Sequence, residues 1–319
     1  MNTIAVKVVA KVQEAEDIFS YELASADRTP LPPFSAGSHI DVMIRPGLVR
    51  QYSLCNNPAE SHRYLIGVLR DPASRGGSQA MHDEVQQGDV IEISMPRNHF
   101  PLVQARRTLL LAGGIGVTPI LCMAERLAQI GARRSAMHYC ARSPGRTAFR
   151  QRIAASAFAD RVQLHFDSGD EEQKLKLPEL LAHPEAGTHI YVCGPGGFID
   201  HVVNTAREKG WPADQVHLEY FGAAAANTDG DTSFEVKIAS TGKCYTIPAD
   251  RTVAQALEAC GIDIPLSCEQ GVCGTCITRV LEGIPDHRDV YFTDEEHAKN
   301  DQFTPCCSRA KGKLLVLDL

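Results

Sequence analysis

The segment 108-TLLLAGGIGVTPILCMAERLAQI-130 decides the architecture of this chain. Its first five residues, 108-TLLLA-112, form the continuous apolar run expected of a strand covered on both faces. Gly113, Gly114 and Gly116 follow, and 120-ILCMAERLAQI-130 then repeats apolar residues at helical spacing. The runs 135-SAMHYC-140, 162-VQLHF-166 and 189-HIYVC-193 read as further strands, with helical segments between them and after Gly197. Strands alternating with helices predict a doubly wound parallel sheet over 105–222. The glycines between the first strand and its helix would let backbone approach a pyrophosphate closely at a helix start. Their spacing is not the G-x-G-x-x-G of dehydrogenases.

On the N-terminal side, 3-TIAVKVVAKV-12 and 64-YLIGVLR-70 alternate apolar and polar residues, and Pro/Gly-rich turns such as 30-PLPPFSAG-37 separate such segments. Many short strands between turn residues predict a small antiparallel barrel over 1–104. Inside it, 75-RGGSQAMHD-83 places Arg75, Gly76, Gly77 and Ser78 at a helix start with Ser78 as N-cap. Free N–H groups and the helix dipole there favour a phosphate. On the C-terminal side, the small, polar stretch 222-GAAAANTDGDT-232 reads as a linker, assigned to 223–232. A third unit, 233–319, opens with the strand 233-SFEVKIAS-240, continues through a helix, 253-VAQALEACG-261, and closes with the strand 313-KLLVLDL-319.

Composition narrows the function. The 319 residues carry a formal net charge of -7 and no long basic block, which argues against nucleic-acid binding. Met1 to Val12 alternates and contains Lys7 and Lys11, unlike the apolar core of a signal peptide. No apolar run reaches the ~20 residues that span a bilayer, so no membrane role and a cytoplasmic location are expected. Eleven cysteines, an odd count, argue for reduced thiols and metal ligation over a disulfide framework.

Five of those cysteines crowd into one region: 267-SCEQGVCGTC-276 gives C-x4-C-x2-C, and 306-CCSRA-310 follows after 29 further residues. A zinc site or plain buried thiols would also use cysteines, although structural zinc usually draws on two short-spaced pairs. The spacing resembles that of plant-type ferredoxins, whose thiolates hold a [2Fe–2S] cluster. The resemblance implies Cys268, Cys273, Cys276 and Cys306 as ligands and leaves Cys307 as a neighbour. Gly271 and Gly274 suit a loop that turns its N–H groups toward cluster sulfurs.

Two more segments carry a resemblance. In the barrel, 50-RQYSLCN-56 is similar to the R-x-Y-S flavin signature of the ferredoxin–NAD(P) reductase superfamily. That likeness implies Arg50 on phosphate, Tyr52 against the flavin ring and Ser53 near its N5. A strand with a surface arginine is the plain alternative. The pair 113-GGIGVTP-119 and 193-CGPGGF-198 is similar to the superfamily's nucleotide-binding segments. It implies Thr118 at the nicotinamide half and Cys193, with Gly194 and Pro195, beside the nicotinamide ring. A buried core thiol is the alternative for Cys193. Phe221, in 219-EYFG-222, matches the aromatic that covers the other flavin face, or is a core aromatic. Arg142 would suit NADPH, whereas Asp167 would suit the ribose hydroxyls of NADH.

The order of motifs resembles the phthalate dioxygenase reductase family over essentially the whole chain, especially its vanillate demethylase and phenoxybenzoate dioxygenase reductases. The resemblance implies a six-stranded antiparallel flavin-binding barrel, a doubly wound nucleotide-binding domain and a C-terminal β-grasp ferredoxin domain. It implies FMN rather than FAD, NADH as co-substrate, and a Rieske-type terminal oxygenase as partner. NADH gives two electrons together and the cluster takes one at a time, so a flavin must stand between them. An electron-transfer subunit of another flavin/iron–sulfur system, a redox sensor and a zinc-bearing binding module remain as alternatives. The acidic stretch 286–301 reads as a solvated loop, or as a docking element.

Overall fold

The structure, a computed structural model, describes residues 3–72, 76–222 and 230–319. Arg75 and most of the expected linker lie outside them. The chain divides into two compact units, Met1–Phe221 and Gly222–Leu319.

The first unit begins with strands β1 (Thr3–Ala15), β2 (Ile18–Ser25), β3 (Ser38–Arg45), β4 (Leu48–Ser53), β5 (Tyr64–Leu69) and β6 (Val90–Ser94), in the order β4-β3-β6-β1-β2-β5. The short β7 (Arg97–Asn98) pairs with β3. A bridge between Leu54 and Ile66 joins the two ends of that order, which closes the sheet into a six-stranded barrel. Its interior is apolar, with Val6, Tyr21, Ile40, Tyr64, Ile66 and Ile93 fully buried. The helix α1 (Gly77–Glu84) sits between β5 and β6. It starts one residue before the expected cap. Gly76, in the left-handed conformation, is its N-cap, and the Ser78 hydroxyl accepts the Asp71 N–H instead. Only glycine takes that backbone without a steric cost.

The same unit continues with parallel strands β8 (Arg107–Gly113), β9 (Ser135–Ala141), β10 (Val162–Phe166), β11 (Thr188–Gly194) and β12 (Val216–Tyr220), in the order β10-β9-β8-β11-β12. Helices α2 (Val117–Gln129), α3 (Arg150–Ala154), α4 (Leu177–Leu180) and α5 (Gly196–Glu208) connect them. β12 is an addition to the four strands read from the sequence. Barrel and parallel sheet share buried apolar surface. Ile18, Cys55, Leu65 and Phe100 of the barrel pack in one buried cluster with Leu110, Ile120, Tyr139 and Phe149. Apolar surface shared in this way disappears only if both sheets stay together.

The second unit carries β13 (Phe234–Ile238), β14 (Cys244–Ile247), β15 (Thr278–Glu282), β16 (Pro285–Asp286), β17 (Gln302–Phe303), β18 (Arg309–Ala310) and β19 (Leu314–Leu317). The mixed sheet runs β14-β13-β19-β15-β17, with β13 and β19 parallel. The helix α6 (Val253–Glu258) packs Val253, Ala256 and Leu257 onto it. A capping box between Thr252 and Gln255 sets its start. The stretch 286–301 is not a solvated loop. Arg288 pairs with Asp231 and Asp286, the Asp289 carboxylate is buried, and α7 (Asp294–Lys299) begins with a Thr293–Glu296 capping box. Satisfied caps and ion pairs turn the acidic run into structure.

Candidate functional site

The strand order of the parallel sheet reverses between β8 and β11, and ligands of open α/β sheets bind at the carboxyl ends of such strands. Both glycine-rich segments lie there. Cys193 pairs with Ala112 across the β8–β11 ladder, so the two strand ends are level. A Cβ on Gly113 would meet the Phe198 ring at 2.8 Å, and one on Gly194 would meet Gly113 Cα at 2.9 Å. A Cβ on Gly116 would fall on the Cys193 carbonyl and within 2.5 Å of the Gly194 nitrogen. Glycine at all three positions lets two backbones close up and leaves N–H groups at the start of α2 for a phosphate. Thr118 is buried in the first turn of α2, its hydroxyl donating to the Ile115 carbonyl, and its methyl group faces Gly67 of β5. Gly114 opens the short turn that leads into α2, and Pro195 is the N-cap of α5.

The barrel contributes the other side. Ser53, the last residue of β4, is buried and donates its hydroxyl to Glu219 Oε2 at 3.3 Å. Glu219 is in turn the ladder partner of Cys193. Ser53, Glu219 and Cys193 therefore meet at the carboxyl end of the sheet, although they come from three distant parts of the chain. Loss of water pushes the Glu219 carboxyl up to about 8, and the Ser53 hydrogen bond opposes this only in part. Burial, reinforced by Glu219 beside it, holds the Cys193 thiol well above its ordinary range, so it stays protonated. Sequence reasoning missed Glu219. Its only signal was its place two residues before Phe221, which is exposed at the end of β12.

Arg50 and Gly77 are brought into contact. A Cβ on Gly77 would lie 2.5 Å from Arg50 Cγ and Nε, so the arginine stem crosses the start of α1 where a side chain would otherwise stand. The guanidinium donates to the Val49 carbonyl at 2.7 Å beside the start of α1, where its charge and the helix N–H groups would suit an anion. Tyr52, on the same strand, has its phenol held protonated by burial.

In the second unit Cys268, Cys273, Cys276 and Cys306 are all buried. Cys268 faces Cys273 and Cys306, and Cys306 faces Cys276, so the four thiols converge without a disulfide. The Gln270 N–H points at Cys268 Sγ and the Thr275 N–H at Cys273 Sγ, each at 3.4 Å. Gly271 and Gly274 have φ of 69° and 68°, as a loop curling around a cluster requires. Four converging thiols with N–H donors fit a [2Fe–2S] cluster. Cys307 lies beside Cys306 and also contacts Thr304 and Ser308. The Cys306 segment is anchored on both sides. Ala254 N–H of α6 donates to Pro305 O, and the buried Arg309 guanidinium donates to the carbonyls of Thr232, Pro248 and Arg251.

Known proteins agree with this geometry. Residues 236–311 match the 2Fe-2S iron-sulfur cluster binding domain, and residues 97–216 match the N-terminal domain of dimethylamine monooxygenase subunit DmmA-like proteins. The chain is 57% identical over 308 residues to a vanillate O-demethylase oxidoreductase of Pseudomonas sp. (strain HR199 / DSM 7063), covering 96% of each chain. It is 39% identical over 317 residues to phthalate dioxygenase reductase of Burkholderia cepacia, covering 99% of this chain and 97% of that one. A solved phthalate dioxygenase reductase, described as a modular structure for electron transfer from pyridine nucleotides to [2Fe–2S], superposes with a TM-score of 0.81 at 38% identity. The superposition covers 100% of this chain and 98% of that chain. Among the described residues no helix is long and apolar enough to cross a membrane. The chain is an oxidoreductase and belongs to the family of vanillate O-demethylase oxidoreductases and phthalate dioxygenase reductases.

Proposed function

We propose that this protein is the NADH-dependent reductase component of an aromatic-ring oxygenase system, passing electrons from NADH through FMN to a [2Fe–2S] cluster and on to a Rieske-type terminal oxygenase. The observation that carries the reading is the meeting of Ser53, Glu219 and Cys193 at the reversal point of the parallel sheet, between an anion cradle and a dinucleotide cradle. A flavin bound there supplies the chemistry that accepts a hydride and releases electrons singly.

The chain's own residues bind and orient. Arg50, Gly76, Gly77 and Ser78, with Arg75, hold the flavin phosphate, while Tyr52 packs on the ring. Gly113, Gly114, Gly116, Gly194 and Pro195 seat the pyrophosphate, and Thr118 and Cys193 flank the nicotinamide. Ser53 presents its hydroxyl toward the flavin, and Glu219 holds the hydroxyl in place. Phe221 covers the ring when the nicotinamide is absent. Holding the reacting carbon and nitrogen together converts an encounter into an intramolecular step. Asp167 and Arg142 stand exposed at the ends of adjacent strands β10 and β9, and Asp167 supports NADH through ribose hydroxyls. The absence of basic blocks and the many free thiols support a cytoplasmic role.

Anaerobic titration of the purified protein with NADH tests the reading. Bleaching of a flavin band with appearance of the electron-paramagnetic signal of a reduced [2Fe–2S] cluster is expected. A protein that takes up NADH electrons without that signal overturns the route.

A further inference from the structure

Away from the four cluster cysteines, the second unit gathers His287, Asp289 and His297, whose ligand atoms all lie within 4.8 Å of one another. His297 Nε2 is 3.1 Å from Asp289 Oδ2, and His287 Nδ1 is 3.8 Å from Asp289 Oδ1. The two imidazole rings lie 4.3 Å apart, centroid to centroid. Among the described residues this is the one group of three or more such side chains so placed.

The arrangement is not accounted for by hydrogen bonding alone. The Asp289 side chain is fully buried, and its carboxylate is already oriented. Oδ1 accepts the Thr304 and Ser308 hydroxyls at 3.3 Å each, and Oδ2 accepts the Phe292 N–H at 3.0 Å. His297 is satisfied by Asp289. His287 is less well served: its side chain is only 9% exposed, and its polar neighbours, the Asn300 amide and Asp289 Oδ1 at 3.8 Å, leave both ring nitrogens short of full hydrogen-bond geometry. A buried imidazole so weakly bonded is open to a stronger partner, and a metal ion is one that suits it.

We propose that His287, Asp289 and His297 bind a divalent transition-metal ion, zinc in the first instance, through two imidazoles and one carboxylate. Two nitrogens and one oxygen are a donor set that borderline ions favour, and tetrahedral zinc with ligands at about 2.0–2.1 Å places them roughly 3.3 Å apart. The 3.1 and 3.8 Å spacings bracket that value, so small side-chain rotations complete the site. Thr304 and Ser308 fix the carboxylate as outer partners do in metal sites. The ion ties the segment before α7 to the helix itself. Because Gly271 packs on the Asp289 backbone, it also props the loop that carries Cys268 and Cys273.

The test uses the full holoprotein, washed with chelator under conditions that leave the [2Fe–2S] spectrum unchanged, then titrated with Zn2+. One zinc per chain is expected, with an absorption-edge spectrum showing only nitrogen and oxygen neighbours at about 2.0 Å and a raised melting temperature. His297→Gln, a change at a partly exposed helix position, is expected to weaken binding at least about 100-fold while the cluster spectrum persists. His287→Gln should do the same, and the spectrum again reports whether the unit has folded. Zinc held by sulfur at about 2.3 Å, or binding that survives both variants, overturns the site. So does failure to retain zinc at micromolar concentrations, which would leave a water as the partner of His287.

Discussion

The Ser53 hydroxyl donates to Glu219 Oε2 at 3.3 Å, linking the end of the fourth barrel strand to the last strand of the parallel sheet. The hydroxyl proposed to face the flavin is thus held by a carboxyl whose proton affinity is raised by partial burial. Ser53→Ala and Glu219→Gln are each expected to slow NADH-dependent flavin reduction by at least about tenfold with little change in KM, because both disturb orientation rather than binding. Stopped-flow absorbance under saturating NADH measures this, and an unchanged rate in both variants would remove the pair from the mechanism.

Glu219 also makes stability depend on pH. Its carboxyl is raised from 4.5 to about 8 by loss of solvent. Between those values the folded chain keeps a proton that the unfolded chain has released, so stability falls as pH rises through the window. Melting temperatures measured across it should decline in the native protein and decline less in Glu219→Gln, which carries no titrating group at that position.

Gly77→Ala separates binding from folding. Alanine favours a helix over glycine by about 1 kcal/mol, so the helix itself gains. The added methyl nevertheless lands 2.5 Å from Arg50 and drives the guanidinium off the helix start. The variant should fold normally yet lose flavin on dialysis, with affinity reduced about tenfold or more. Fluorescence of released flavin provides the readout.

Gly116→Ala meets backbone rather than a flexible side chain. Its Cβ falls on the carbonyl of Cys193, where neither the helix start nor the strand can yield cheaply. A loss of about 1–3 kcal/mol of stability is expected, together with a raised KM for NADH. Denaturant unfolding and steady-state kinetics check the two effects separately.

The adjacent cysteines 306 and 307 differ in where their sulfurs point. Cys306 faces Cys268 and Cys276, whereas Cys307 touches only Cys306 among the four and otherwise contacts Thr304 and Ser308. Cys307→Ser should therefore keep the visible and paramagnetic signature of the cluster, and Cys306→Ser should lose or strongly alter it.

The sequence alone determined what depends on local spacing. A strand that breaks at Gly113 into a helix, and cysteines at 268, 273 and 276, each state their chemistry within about 20 residues, because chain geometry confines the possible partners. The strand that carries Arg50 to Ser53 was legible for the same reason. Contacts between distant segments were decided only by the tertiary structure. The strand Val216–Tyr220 exists because it pairs with Thr188–Gly194, and Glu219 becomes a site residue only through that ladder. The acidic run 286–301 looked solvated because charge is visible in a sequence while ion pairing is not. Asp289 is buried by the loop of Gly271 and by Thr304 and Ser308, and His287 and His297 come together on it only in that enclosure. Burial and desolvation belong to the packed chain, so no reading of neighbours along the sequence could supply them.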